Sequence, residues 1–328
     1  MKLEFLAFTE KGFLLADALA QKLGGHVMRC GKPDSLSDWT KTHFPKADGL
    51  IFVGAAGIAV RAIAPYIEKK WKDPAVVVVD ECARFAIPLL SGHLGGANRL
   101  AREISRVCGA QAVVTTATDI NGVFAVDEWA KSQQLRIADP MRIKHISGTL
   151  LSGGNVKLYS TYPIDGECPS GVLRTETLPA DIAVSVRQEN AVLSLVPQTV
   201  VLGVGCRKGT KQSVIESVLN RFLQESNLRI ESICAVASID LKKEEAGLIG
   251  FCQEHGWPFQ TYTAEMLRSV SGTFTPSEFV SQVTGVDNVC ERSAVLVSGG
   301  RLSFRKFAAD GVTMAAAEKP ARFNWNVE

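Results

Sequence analysis

The sequence predicts an α/β fold: two open α/β domains with mainly parallel sheets, joined by a small α+β middle domain. Three observations carry that expectation. Short apolar strand-like runs alternate with helical stretches of about 10–15 residues, the pattern of parallel strands covered by helices. Glycine-rich segments directly follow three of those strand-like runs. The length of 328 residues is about two domains at roughly 150 residues each, and 46% hydrophobic with 21% charged residues is an ordinary globular composition. Disorder, collagen-like repeats and a disulfide miniprotein are thereby excluded.

In chain order, Leu3–Phe8 reads as a buried strand and Gly12–Leu23 as a helix. Gly49–Val53 is a second strand running into Gly54-Ala55-Ala56-Gly57, and the helix that follows is stopped by Pro65. Ala75–Val79 is β-branched, Phe85–Leu89 is a short apolar strand, Gly95–Val107 a helix and Ala112–Thr115 another strand. These elements make an N-terminal α/β domain over residues 1–130. From 131 to 197 the texture changes to short strand-like pieces (Val156–Ser160, Ile182–Val186, Val192–Val196) broken by Pro and Gly, with one helix at Lys144–Leu151. From 198 to 328 the alternation resumes. Val200–Val204 leads into Gly205-Cys206-Arg207-Lys208-Gly209-Thr210 and a helix to Glu225, and Leu302–Lys306 with Val312–Ala316 reads as a closing hairpin.

A formal net charge of +2, spread evenly along the chain, gives no basic domain or stripe of the kind nucleic-acid binders show. The eight cysteines stand singly with no Cys-x-x-Cys, which fits buried reduced thiols of a cytoplasmic protein better than zinc or a redox pair. The N-terminus lacks the apolar run of a signal peptide, and no uncharged stretch reaches the length of a membrane span.

Three glycine loops, each with Arg or Lys nearby, point to an anionic ligand, because glycine lets the backbone approach and helix N-termini offer N–H groups. The spacing from Gly203 to Gly209 is G-x-G-x-x-x-G, so neither the dinucleotide fingerprint nor a P-loop is matched. His93, in Ser91-Gly92-His93, has the chemistry of a general base, although a loop histidine is more often just a hydrogen-bonded structural residue. Such a residue is expected to add little to the core. Asp80-Glu81 is expected at the same sheet edge as Gly54, where it would complement His93 or merely form a turn. Thr115-Thr116-Ala117-Thr118-Asp119 ends the next strand, with a helix N-cap as its ordinary reading. No His/Cys/carboxylate group has metal-ligand spacing, so a protein-held metal is not expected.

The runs Gly49–Gly54, Gly57–Pro65, Val76–Glu81, Leu89–Asn98 and Thr115–Asp119 together closely resemble the cobalt-precorrin-5A hydrolase family of anaerobic cobalamin biosynthesis. Leu202–Thr210, Ala237–Lys242 and Glu291–Leu296 resemble that family's last domain, which is also similar to a small stand-alone protein of the aerobic route. The middle segment carries the weakest likeness.

The resemblance implies a hydrolase acting on a carbon–carbon bond: water opens the δ-lactone of a cobalt-bound corrinoid, a two-carbon unit leaves as acetaldehyde, and cobalt-precorrin-5B results. Cobalt arrives inside the substrate, so no separate cofactor is implied. On this reading His93 is the base, Glu81 or Asp119 orients it, and the amides of Gly95 and Gly96 meet the oxyanion. Gly54, Gly57, Arg61, Arg84, Ser91, Gly92, Asn98, Thr115, Thr116, Gly205, Arg207, Lys208 and Thr210 bind a polycarboxylate macrocycle, in one cleft shared by both α/β domains. The expected partners are the corrinoid, transient hand-over contacts with other cobalamin-pathway enzymes and a second copy as a homodimer, with neither nucleic acid nor membrane. Two alternatives stay open: a non-catalytic carrier of corrinoid intermediates, and a nucleotide-dependent oxidoreductase using Gly203, Gly205 and Gly209.

Overall fold

The computed structural model describes residues 1–31, 33–69, 72–93 and 95–327, so Leu94 of the Ser-Gly-His run lies outside the described residues. The chain is an α/β protein of mixed, mostly parallel sheets and divides into two compact units, Met1–Glu128 and Trp129–Glu328.

The first unit holds strands β1 (Leu3–Ala7), β2 (His26–Arg29), β3 (Gly49–Val53), β4 (Ala75–Val79), β5 (Phe85–Leu90) and β6 (Gln111–Ala112). Its helices are α1 (Glu10–Leu23), α2 (Leu36–His43), α3 (Ala56–Ile63), α4 (Ala97–Cys108) and α5 (Ala117–Ile120), with α6 (Val126–Ser132) starting just before its end. β1, β3 and β4 are buried along their whole length, as expected of apolar runs covered on both faces. Phe5, Ile51 and Val77 pack on one side with Leu19 and Leu100, while Leu6, Phe52 and Val78 pack on the other with Trp39 and Ile63. α1 starts where Thr9 Oγ1 accepts the Gly12 N–H at 3.0 Å, and α4 stops at Gly109, whose φ of 76° suits a left-handed cap.

The sheet order is β2-β1-β3-β4-β5-β6, with β1 to β4 parallel. β5 runs antiparallel to β4, and β6 is parallel to β5. The cause is local. Asp80–Arg84 is too short for a crossover, which needs a dozen or more residues, and the Asp80 carboxylate accepts the N–H groups of Cys82, Arg84 and Phe85 at 2.9, 2.8 and 2.7 Å to make a tight turn.

The second unit contains two five-stranded sheets. The first has β7 (Leu135–Ile137), β8 (Val156–Ser160), β10 (Val172–Thr175), β11 (Ala180–Val184) and β12 (Ala191–Pro197) in the order β10-β8-β11-β12-β7, with α7 at Ile143–Leu151. A two-residue strand, β9 (Ile164–Asp165), pairs instead with β18 (Phe323–Asn324). The other sheet has the order β15-β14-β13-β17-β16, formed by β13 (Val200–Cys206), β14 (Ile233–Ile239), β15 (Phe259–Tyr262), β16 (Arg301–Ala309) and β17 (Val312–Glu318). Its helices are α8 (Gln212–Ser226), α9 (Ala246–His255), α10 (Ala264–Arg268), α11 (Glu278–Thr284) and α12 (Cys290–Ser298). β13, β14 and β15 are parallel, whereas β16 and β17 form the antiparallel hairpin read from the sequence. The elements read from the sequence are present with ends moved by a few residues. The sequence does not predict β2, α2, α5, β7, β9, β10, α10 or β18. Among the described residues no helix is long and apolar enough to cross a membrane.

Candidate functional site

The reversed direction of β5 separates residues that the sequence pattern grouped together. Gly54, Asp80 and Glu81 follow the carboxyl ends of β3 and β4. Ser91 follows the end of β5, which lies at the opposite edge of the sheet because Val76 pairs with Leu90 and Val79 with Ala86. Thr115 to Asp119 follow β6 to that same opposite edge. Strands of five residues put the two edges about 17 Å apart.

At the first edge, Glu81 accepts a hydrogen bond from Thr9 Oγ1 at 2.7 Å, and Lys11 Nζ lies 3.0 Å from Cys82 Sγ. The expectation that Glu81 orients His93 is therefore incorrect: the turn at Asp80 sends the following strand back across the sheet. Gly54 is a packing requirement, since a Cβ there would lie 2.6 Å from the Phe8 ring. The Arg61 guanidinium donates to the Gly57 carbonyl at 3.0 Å, and the Arg84 side chain is exposed. Gly57, Arg61 and Arg84 thus share an edge with one another but not with His93.

At the second edge, the Ser91–Gly96 segment folds back on the start of α4. Ala97 N–H donates to the Ser91 carbonyl at 3.1 Å, Asn98 N–H to that of Gly92 at 3.0 Å, and Gly96 N–H to that of His93 at 2.9 Å. The first N–H groups of α4 are thereby satisfied internally. Gly96 consequently does not offer its amide to an oxyanion, a second correction. The fold-back also explains the glycines: a Cβ on Gly95 would lie 2.2 Å from Ser91 Cβ, and one on Gly92 would lie 2.8 Å from Asn98 Oδ1.

This tight loop places the His93 ring among carboxylates. Nε2 is 2.8 Å from Asp119 Oδ2, 3.1 Å from Thr118 Oγ1 and 3.9 Å from Glu128 Oε1, while Nδ1 is 3.3 Å from Asp127 Oδ1. Asp119 is held in turn by Arg102, whose guanidinium meets its Oδ1, and by Asn98, whose Nδ2 donates to Oδ2 at 3.0 Å. Asn98, fully buried, also donates to Thr116 Oγ1 at 2.9 Å, and Thr115 beside it is exposed. The His93 and Asp119 side chains are only 12% and 11% exposed.

Burial alone would depress the His93 pKa, but hydrogen bonds and charge from Asp127, then Asp119 and Glu128, outweigh it and raise the imidazole to about 9. Burial pushes Asp119 up, yet the contacts with Arg102 and His93 win and hold it below the usual carboxylate range. Glu128 is lifted, first by burial and then by Asp119 and Asp127, against the pull of His93. Two carboxyls in one cluster are thus driven in opposite directions, a pattern that supports acid–base division of labour. At neutral pH His93 is an imidazolium with both ring nitrogens occupied, so it is not a free base.

Asp127, Glu128 and Arg102 are not singled out by the sequence, whereas Thr118 belongs to the Thr115–Asp119 run read from it. Arg102 is four residues after Asn98 on α4, and Asp127-Glu128 is an acidic pair in the first turn of α6, both signals that read equally well as a solvated helix. The fold also brings together ligand-type residues that sequence spacing leaves apart. His93, Asp119 and Glu128 each offer a ligand atom, and those atoms all lie within 4.8 Å of one another.

In the second unit, Gly205–Thr210 follows β13. Gly209, at φ 74°, donates its N–H to Glu245 Oε1 at 2.8 Å, and Thr210 Oγ1 donates to the Arg207 carbonyl at 2.8 Å. Arg207 and Lys208 are exposed on this loop, and a Cβ on Gly205 would meet Thr313 Oγ1 at 2.7 Å. Gly203 serves packing, since a Cβ would fall 1.8 Å from the Cys290 carbonyl oxygen on α12.

Residues 38–119 match the family model described as cobalamin synthesis G N-terminal, and residues 200–317 match that of cobalamin synthesis G C-terminus. The chain is 38% identical over 287 residues to a cobalt-precorrin-5A hydrolase of Salmonella typhimurium, covering 83% of this chain and 82% of that protein. It is 33% identical over 301 residues to a cobalt-precorrin-5A hydrolase of Priestia megaterium, covering 84% and 80%. A solved structure of a cobalamin biosynthesis protein G homolog from Sulfolobus solfataricus aligns with 97% of each chain at 24% identity and a TM-score of 0.43. His93, Asn98, Arg102 and Asp119 lie inside the first matched span, and Asp127 and Glu128 follow it.

Proposed function

The chain belongs to the cobalt-precorrin-5A hydrolase family, and from that premise we propose that it opens the δ-lactone of a cobalt-bound corrinoid with water and releases the two-carbon unit as acetaldehyde. The observation that carries this reading is the half-enclosed cluster in which His93 Nε2 sits between Asp119 and Glu128.

The chemistry needs two things of the protein. Water adding to the lactone carbonyl must lose a proton, and negative charge developing on the carbonyl oxygen must meet a positive group. Glu128, lifted toward neutrality, suits the first task. The His93 imidazolium, held by Asp119 and Asp127, suits the second and can afterwards protonate the released alkoxide. Removal of that hydroxyl proton then forms the aldehyde C=O as the C–C bond to the macrocycle breaks, and the macrocycle carbon takes a proton. One water enters and one acetaldehyde leaves.

Ser91, Gly92, Gly95 and Thr115 flank the same edge and would contact the lactone end of the substrate. The exposed Arg61 and Arg84 belong to the opposite edge of the sheet and take no part in that contact. Cobalt enters and leaves as part of the substrate. The full chain incubated with cobalt-precorrin-5A should yield one acetaldehyde per corrinoid consumed. Tight corrinoid binding without aldehyde would establish the carrier reading instead.

A further inference from the structure

We infer that His93, Asp119 and Glu128 form a binding site for a first-row divalent cation of the Mn²⁺, Fe²⁺ or Zn²⁺ class. One imidazole nitrogen and two carboxylate oxygens are a ligand set these ions accept, and the lack of sulfur disfavours Cu⁺. A cation about 2.0–2.2 Å from each ligand keeps its ligand atoms roughly 3–3.5 Å apart. Nε2 stands 2.8 Å from Asp119 Oδ2 and 3.9 Å from Glu128 Oε1, and all three ligand atoms lie within 4.8 Å of one another, so side-chain shifts on the order of 1 Å would close them on one ion.

The surroundings are those of a supported metal site. Asp127 faces the other ring nitrogen at 3.3 Å, which is the carboxylate–histidine–metal arrangement that fixes ring orientation. Asn98 and Arg102 hold the two oxygens of Asp119. Three carboxylates face one guanidinium and the His93 imidazolium, and a dication that displaces the Nε2 proton adds positive charge to a site that is still net negative. Independently of that cluster, the loop carrying His93 leaves Ser91 Oγ buried with no hydrogen-bond partner, in a residue only 8% exposed. A native loop rarely strands a buried hydroxyl, so a polar partner is missing from the loop that carries His93. Among the described residues no other group of three such ligands comes this close together.

The inference rests on the proposed reaction and deepens it: a bound dication would displace the Nε2 proton and take over the tasks given above to the His93 imidazolium and Glu128, polarising the lactone carbonyl and activating the attacking water at an open position. Its test is separate from turnover. The full chain, stripped with chelator, is titrated with Mn²⁺ and followed by the loss of the free-ion paramagnetic signal. Mn²⁺ is chosen because hard cations ignore the eight free thiols. One ion per chain should bind in the micromolar range. The near-isosteric Glu128→Gln and Asp119→Asn should each weaken binding by about 10–100-fold or more while the circular dichroism spectrum is retained. Glu216→Gln, which alters a histidine–carboxylate pair elsewhere in the fold, that with His255, should leave affinity unchanged. Failure to saturate below about 1 mM, or equal affinity in Glu128→Gln, overturns the site. Acetaldehyde release without Mn²⁺ binding would remove the cation and keep the reaction, whereas binding without release would do the reverse.

Discussion

Nε2 of His93 lies 2.8 Å from Oδ2 of Asp119, although 25 residues, a helix and a strand separate them in the chain. This contact fixes the charge state of the imidazole and sets the consequences below.

Asp119→Asn removes the carboxylate that both His93 and Arg102 address. In the metal-free chain the His93 pKa should fall from about 9, which nuclear magnetic resonance of the ring protons would follow. Acetaldehyde release should drop by about 10²-fold or more. An unchanged His93 titration would show that Asp127 and Glu128 alone hold the proton.

His93→Ala should cost stability as well as rate, contrary to the expectation for an ordinary loop histidine. Removing the imidazolium leaves Asp119, Asp127 and Glu128 facing one another in a largely buried site, and breaking such a group typically costs about 3–5 kcal/mol. Chemical denaturation of the variant should show it. Unaltered stability would mean that water takes over the imidazole's place without loss.

The pH dependence has a definite sign. His93 has a folded pKa raised above its ordinary value of 6.5, so its contribution is complete below about pH 6.5 and is lost as the pH rises through about 9. Asp119 has a depressed pKa, so its contribution is present above the ordinary carboxylate range and is lost as the pH falls through that depressed value. Metal-free protein should therefore lose up to about 3 kcal/mol between pH 6.5 and 9.5 through His93. His93→Gln should flatten that slope; a slope identical to wild type would assign the loss to other groups.

Glycine substitutions should separate packing from ligand contact. Gly203→Ala drives a Cβ to 1.8 Å from the Cys290 carbonyl oxygen, backbone that cannot yield, so thermal unfolding of the second unit should occur many degrees earlier. Gly95→Ala should distort the His93 loop through the 2.2 Å approach to Ser91 Cβ. Full stability in Gly203→Ala with weakened corrinoid binding would restore a ligand role to that glycine.

The strands were legible because runs such as Val76-Val77-Val78-Val79 are buried on both faces and show as unbroken apolar stretches. β2 was not, since His26-Val27-Met28-Arg29 is a half-exposed strand with no such run. His93 and Asp119 stood out as polar residues at strand ends, yet their mutual contact depends on the direction of β5. The clue was present: five residues between β4 and β5 cannot span a parallel crossover. That length alone puts Glu81 and His93 at opposite edges of the sheet. Asp127 and Glu128 carried no comparable signal, because acidic residues in the first turn of a helix are common without any further role.

The central claim is that chemistry occurs at the edge holding His93, Asp119 and Glu128 and not at the edge holding Glu81. Acetaldehyde release from cobalt-precorrin-5A, measured side by side for Glu128→Gln and Glu81→Gln, tests it most directly. Glu128→Gln should lose about 10²–10⁴-fold in rate, whereas Glu81→Gln, which changes only the exposed contact to Thr9, should stay within a few-fold of wild type. Wild-type turnover in Glu128→Gln together with collapse in Glu81→Gln would place the reaction at the opposite edge of the sheet and contradict the account.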